Sequence, residues 1–99
     1  NDVDAVLCVN EIFAIQCMSI LQQIGFNIPE DISIIGFTDG ILSKFSSPKL
    51  STVAQHGEKM GELAAKLLIQ RMESVELVEE PFKTEVINAT LVKRGSTIN

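Results

Sequence analysis

Ninety-nine residues allow at most one small domain, near the lower size for a self-sufficient core. An apolar fraction of 45% against 21% charged residues marks a globular chain, and the absence of Trp and Tyr makes its core aliphatic. A net charge of −5, with Lys and Arg scattered except at Lys93-Arg94, argues against nucleic-acid binding by these residues themselves, and no apolar run is long enough to span a membrane.

Val3 to Val9 is apolar apart from Asp4 and predicts a buried first strand. Asn10 follows as a helix N-cap, Glu11 favours the dipole of the first turn, and a helix over Glu11 to Ile24 ends at Gly25. At a helical period Phe13, Ala14, Cys17, Ile20, Leu21 and Ile24 form its core stripe, which leaves Ile12, Ile15 and Met18 over for a second contact surface. Pro29, Glu30 and Asp31 make a polar turn. Ile32 to Phe37 then reads as a parallel strand covered on both faces, with Gly36 admitting a close neighbour. Strand, helix and strand in this order imply a right-handed parallel crossover.

Asp39 to Leu50 is irregular, broken at Pro48, and its Ile41, Leu42 and Phe45 have few ways to bury themselves. Ser51 to Gln55 predicts a third strand, and Glu58 to Ser74 a second helix striped by Met60, Leu63, Ala64, Leu67, Leu68 and Met72, with Arg71 packing its stem beside them. Val75 to Pro81 is an acidic loop, and Thr84 to Ile87 and Thr90 to Lys93 read as two short strands. Cys8 and Cys17 read as small buried hydrophobes with free thiols, as suits a reducing compartment, a disulfide being the other reading. Starting directly before a strand, with no initiator Met and no secretory signal, the sequence reads as a piece of something longer.

Asn10, the pair Thr38 and Asp39, and the pair Gln55 and His56 close the first, second and third predicted strands. In a parallel sheet these ends share one edge, where open α/β sheets bind ligands. Amide, hydroxyl, carboxylate and imidazole groups above an aliphatic floor suit a neutral, hydroxyl-rich ligand such as a sugar. Each residue also has a plain structural reading: Asn10 as a helix cap, Asp39 as a turn cap, His56 as a hinge. The sequence has no nucleophile elbow, P-loop, dinucleotide fingerprint or metal-spaced Cys and His, so neither an enzyme nor a cofactor is expected.

Four segments resemble one family in order and spacing. Ile28-Pro29-Glu30-Asp31-Ile32-Ser33-Ile34-Ile35-Gly36-Phe37-Thr38-Asp39 is similar to Val-Pro-Glu-Asp-Ile-Ser-Val-Val-Gly-Phe-Asp-Asp of the lactose-repressor (LacI/GalR) family of bacterial transcription regulators. Asp4 to Glu11 resembles its Asp-Ala-Val-Phe-Cys-Ala-Asn-Asp, Ser47 to Gln55 its Ser-Pro-Pro-Leu-Thr-Thr-Val-Arg-Gln, and Leu91 to Thr97 its Leu-Val-Val-Arg-Gly-Ser-Thr.

The resemblance implies an α/β fold, a parallel sheet flanked by helices, as a fragment of a two-lobed type I periplasmic-binding-protein-like effector domain. Residues 1–54 would belong to the C-terminal lobe and 58–87 would pack on the N-terminal lobe, with the DNA-binding headpiece absent. It implies a cytoplasmic regulator in which a small effector, a sugar or derivative, shifts the lobes and so alters operator binding by a helix-turn-helix. Asn10, Thr38, Asp39 and Gln55 would face the effector, and Ile12, Ile15, Met18, Leu42 and Phe45 would form a homodimer interface. Thr38 departs from the family, which has an effector-contacting Asp there, and Gly57 stands where some members place an aromatic against the sugar. Two other readings share the fold: a periplasmic or transporter-associated sugar-binding protein, and a sensor attached to an enzyme such as a kinase.

Overall fold

In a computed structural model of the chain, the described residues are 2–73 and 81–98. They form two compact units, one of Asn1–Gln55 with Ala89–Asn99 and one of His56–Asn88. The first unit holds a mixed sheet of order β1-β2-β3-β4, made of β1 (Ala5–Cys8), β2 (Ser33–Phe37), β3 (Ser51–Ala54) and β4 (Thr90–Val92). β1, β2 and β3 run parallel, in a register that sets Cys8 beside Gly36 and Phe37 beside Val53, and β4 closes the edge antiparallel to β3.

α1 (Glu11–Gln23) begins at Asn10 and gives way to Gly25, whose φ of +104° lies where a side chain is strained. It lies on the face of the sheet that presents Val6, Cys8, Ile34 and Gly36. Ala14, Met18, Ile28, Ile32, Ile34 and Leu50 form the buried core there, and each large aliphatic among them contributes about 1.5–3 kcal/mol. Gly36 is required by this packing: a Cβ on it would lie 3.0 Å from Leu50 Cδ2 and 3.3 Å from the Ala14 Cβ.

Two expectations are corrected by this arrangement. The helix is rotated from the stripe its periodicity suggested: Phe13, Ile20 and Ile24 are more than half exposed, while Met18 is 2% exposed. Met18 is therefore a core residue and not part of an interface. The first strand, expected to be buried, is open on the face away from α1, where Leu7 is 65% exposed, whereas Ile35 of β2 is half-buried and Ser51 of β3 is buried. Cys8 and Cys17 are free and half-buried on the α1 side, and burial, followed by the neighbouring Cys17 thiol, pushes the Cys8 thiol above its usual range.

The irregular stretch after β2 contains a short 3-10 turn, Leu42–Lys44, and Ser43 within it is fully buried. In the second unit α2 (Gly57–Glu73) leaves no residue fully buried, and Met60, Leu68 and Met72 are exposed along its apolar stripe. The Arg71 guanidinium lies over the Phe82 ring, 4.3 Å from its centroid. Thr84 to Ile87, expected as a strand, joins no ladder among the described residues; its alternating pattern has no strand to pair with. The acidic loop expected from Val75 to Pro81 lies, except for Pro81, outside the described residues.

Candidate functional site

The parallel register brings the carboxyl ends of β1, β2 and β3 to one edge of the first unit, so Asn10, Thr38 and Gln55 lie along that edge. Asn10 is in extended backbone, φ −152°, and its Oδ1 accepts the Phe13 N–H at 2.8 Å. It is thus the cap of α1, its side-chain oxygen accepting one bond there and its Nδ2 being the donor end of the amide.

Thr38 departs from strand geometry. Its φ of +84° is a conformation that β-branched residues rarely take, and it persists because both ends of the residue are tied to β3. Its N–H donates to the Val53 carbonyl at 2.9 Å, and its hydroxyl donates to Gln55 Oε1 at 2.6 Å. Thr38 and Gln55 therefore form one unit across neighbouring strand ends. His56, the first residue of the second unit, also has positive φ, +58°, just where the chain leaves β3.

Asp39 has a different environment from the one its position suggested. One of its carboxylate oxygens accepts from the Thr52 hydroxyl at 2.9 Å and from Arg94 Nη1 at 2.8 Å. The same Arg94 nitrogen donates to the Leu50 carbonyl at 2.8 Å. The Arg94 hydrogen bond, assisted by Thr52, holds the Asp39 carboxyl below the usual carboxylate range against the opposing effect of burial. Asp39 is a tie between the β2 exit and the closing segment.

Glu11 is a tie of the same kind. Its Oε2 accepts both the N–H and the hydroxyl of buried Ser43, at 2.9 and 2.5 Å. Gly40 passes so close that any Cβ there would collide with the Glu11 carboxylate. Sequence reasoning missed Glu11, Ser43 and Arg94 as ties, and also Ser96, which binds at the opposite, amino ends of β2 and β3. Ser96 is fully buried, accepts the Ser51 N–H at 2.8 Å and donates to the Ile34 carbonyl at 2.5 Å. The available signal was the run Arg94-Gly95-Ser96, polar residues directly after a strand that must enter a core.

Of the residues expected at an interface, Ile12 is 56%, Leu42 45% and Phe45 78% exposed, and Ile15 is half-buried against the core. Among the described residues no three His, Cys, Asp or Glu side chains group to hold a metal ion, and no helix is long and apolar enough to cross a membrane.

Residues 2–97 match the family model of the periplasmic binding protein-like domain. The chain belongs to that family. Its relatives are LacI-type regulators. It is 37% identical over 92 residues to the ribose operon repressor of Haemophilus influenzae, covering 93% of this chain and 27% of that protein. The structure of a LacI transcriptional regulator from Bacillus cereus subsp. cytotoxis is 33% identical with a TM-score of 0.85, over 96% of this chain and 33% of that one. The lac repressor dimer, solved bound to operator and the anti-inducer ONPF, matches at 26% identity and a TM-score of 0.82, over 97% of this chain and 32% of that one. The chain thus spans about a quarter to a third of the proteins it matches.

Proposed function

We propose that the chain is the effector-binding and dimerisation part of a ligand-responsive transcription regulator, acting by binding and not by catalysis in the cytoplasm. The observation that carries this reading is the convergence of Asn10, Thr38 and Gln55 on the carboxyl edge of three parallel strands, the edge at which open α/β sheets take ligands. The ligand is a small molecule, a sugar or sugar derivative, that biases the relation between two lobes and through it the affinity of a separate helix-turn-helix for operator DNA. Residues 1–54 are assigned to the C-terminal lobe and 58–87 to the N-terminal lobe, an assignment supported by the break between Gln55 and His56. Asp39 is proposed to face the ligand with Asn10, Thr38 and Gln55, one of its carboxylate oxygens held by Arg94 and Thr52.

Asn10→Ser tests the site, because serine keeps the helix cap and removes the amide. Calorimetry of the full-length protein against sugars and their derivatives is expected to show binding that N10S weakens by about tenfold or more, the factor carried by one hydrogen bond of about 1.4 kcal/mol. Equal binding by N10S would overturn this assignment. A homodimer through Ile12, Ile15, Leu42 and Phe45 is part of the same proposal, supported by the exposure of Ile12 and Phe45. Sedimentation of Ile12→Glu with Phe45→Glu is expected to give monomer where the parent gives dimer; an unchanged dimer would remove these residues from the interface.

A further inference from the structure

We infer that Thr38 is a positioning residue: it fixes the side-chain amide of Gln55 at the carboxyl edge before any ligand arrives. This rests on the effector-binding reading above and adds to it how one of the proposed contacts is held ready.

The conformation of Thr38 is not that of a passive strand end. Its φ is +84°, where glycine, asparagine and aspartate are the ordinary residues and a branched Cβ is costly. The backbone is clamped there by the bond from its N–H to the Val53 carbonyl, which continues the ladder from the pairing of Phe37 with Val53. The branching that makes this conformation costly also leaves χ1 few choices. Oγ1 is therefore a stiff point on a fixed backbone.

Gln55 is the opposite kind of group. Its amide lies at the end of three rotatable bonds, on the last residue before the chain leaves the first unit at His56. The Thr38 hydroxyl reaches that amide across the two strand ends at 2.6 Å. A bond between two mobile side chains would restrain neither. Here one partner is held by its own backbone, so the freedom that is lost belongs to Gln55. Ordering a long side chain during binding costs affinity, and a side chain ordered beforehand avoids that cost. For one glutamine the difference corresponds to about two- to tenfold in affinity.

Two measurements on the full-length protein test this. Calorimetry with D-ribose, D-glucose, D-galactose and cellobiose gives the affinity. The nitrogen–proton spectrum of the ligand-free protein gives the state of the Gln55 side-chain amide, assigned by its loss in Gln55→Ala. Thr38→Val keeps the branch and removes the hydroxyl. It should move the Gln55 amide signals to the position of a freely rotating glutamine and weaken sugar binding about two- to tenfold. Thr38→Ser restores the hydroxyl and should recover most of both effects. With Gln55 already alanine, Thr38→Val should cost no further affinity. Thr38→Gly takes the positive φ freely, so it should keep the parent's thermal midpoint and still bind as weakly as T38V.

Unchanged Gln55 signals in T38V would overturn the inference and leave the effector-binding reading standing. The same follows from an equal loss of affinity with and without Gln55, which would make Thr38 a direct contact. A midpoint lowered in Thr38→Gly would assign Thr38 to the fold instead. Failure of all four sugars to bind would count against the effector-binding reading itself and remove the inference with it.

Discussion

Removing the charge of Arg94 while keeping its volume should destabilise the fold more than the exposure of the residue suggests. Arg94→Met retains the packing of the stem and deletes the guanidinium. That group's Nη1 serves Asp39 Oδ1 and the Leu50 carbonyl, each at 2.8 Å. The Arg94 and Asp39 side chains are 16% and 21% exposed, so the pair is mostly desolvated. Deleting one partner of a fully buried pair costs about 3–5 kcal/mol, and a buried carbonyl left without a donor costs about 1–3 kcal/mol. Residual access of water lowers the combined figure, and we expect about 2–4 kcal/mol in urea denaturation. Asp39→Asn combined with R94M should recover part of that loss, because no uncompensated carboxylate remains.

The pH dependence has a definite sign. The Asp39 carboxyl is held below its ordinary value of 3.8, so its contribution is full above that pH and is lost as pH falls through the folded-state value. The gap between parent and D39N should therefore be constant near neutrality and close in strong acid. A loss below about 0.5 kcal/mol in R94M, or strict additivity in the double variant, would refute the idea that the pair anchors this edge.

Two further substitutions probe the same unit. Ser96→Ala leaves the buried Ser51 N–H and the Ile34 carbonyl each one partner short, and should cost about 1–3 kcal/mol in the same assay. Gly36→Ala forces a methyl against Leu50 and Ala14 at 3.0 and 3.3 Å, and should cost about 1–3 kcal/mol by overpacking, with Leu50→Ala as the variant that relieves it.

The elements of the first unit were legible wherever the local signal was also the deciding one. The β-branched run of Ile32 to Phe37 contains β2, Asn10 and Glu11 start α1, and Gly25 follows its end. The facing of α1 was not legible. Apolar residues occur all around it, so a stripe that extends from Ala14, Cys17 and Leu21 to Phe13, Ile20 and Ile24 is as regular as one that extends from them to Met18. The helix is centred on Ala14, which packs against the bare backbone of Gly36 and so brings Met18 into the core. No period in the helix records that fact. The exposed face of β1 was unreadable for a related reason, since an apolar strand looks the same whether or not its second face has a cover.

The site divides in the same way between what a residue is and what it is already bound to. Asn10, Thr38 and Gln55 were legible as polar groups at strand ends, because three parallel strands must finish on one edge. Asp39 had equal standing by that argument. One oxygen of its carboxylate is held by Arg94, 55 positions away, a pairing that only the packed chain specifies. Ser43 claims Glu11 across 32 positions in the same manner. Residue type thus locates a binding edge, while selectivity resides in whatever hydrogen-bonding capacity remains after the fold has satisfied itself.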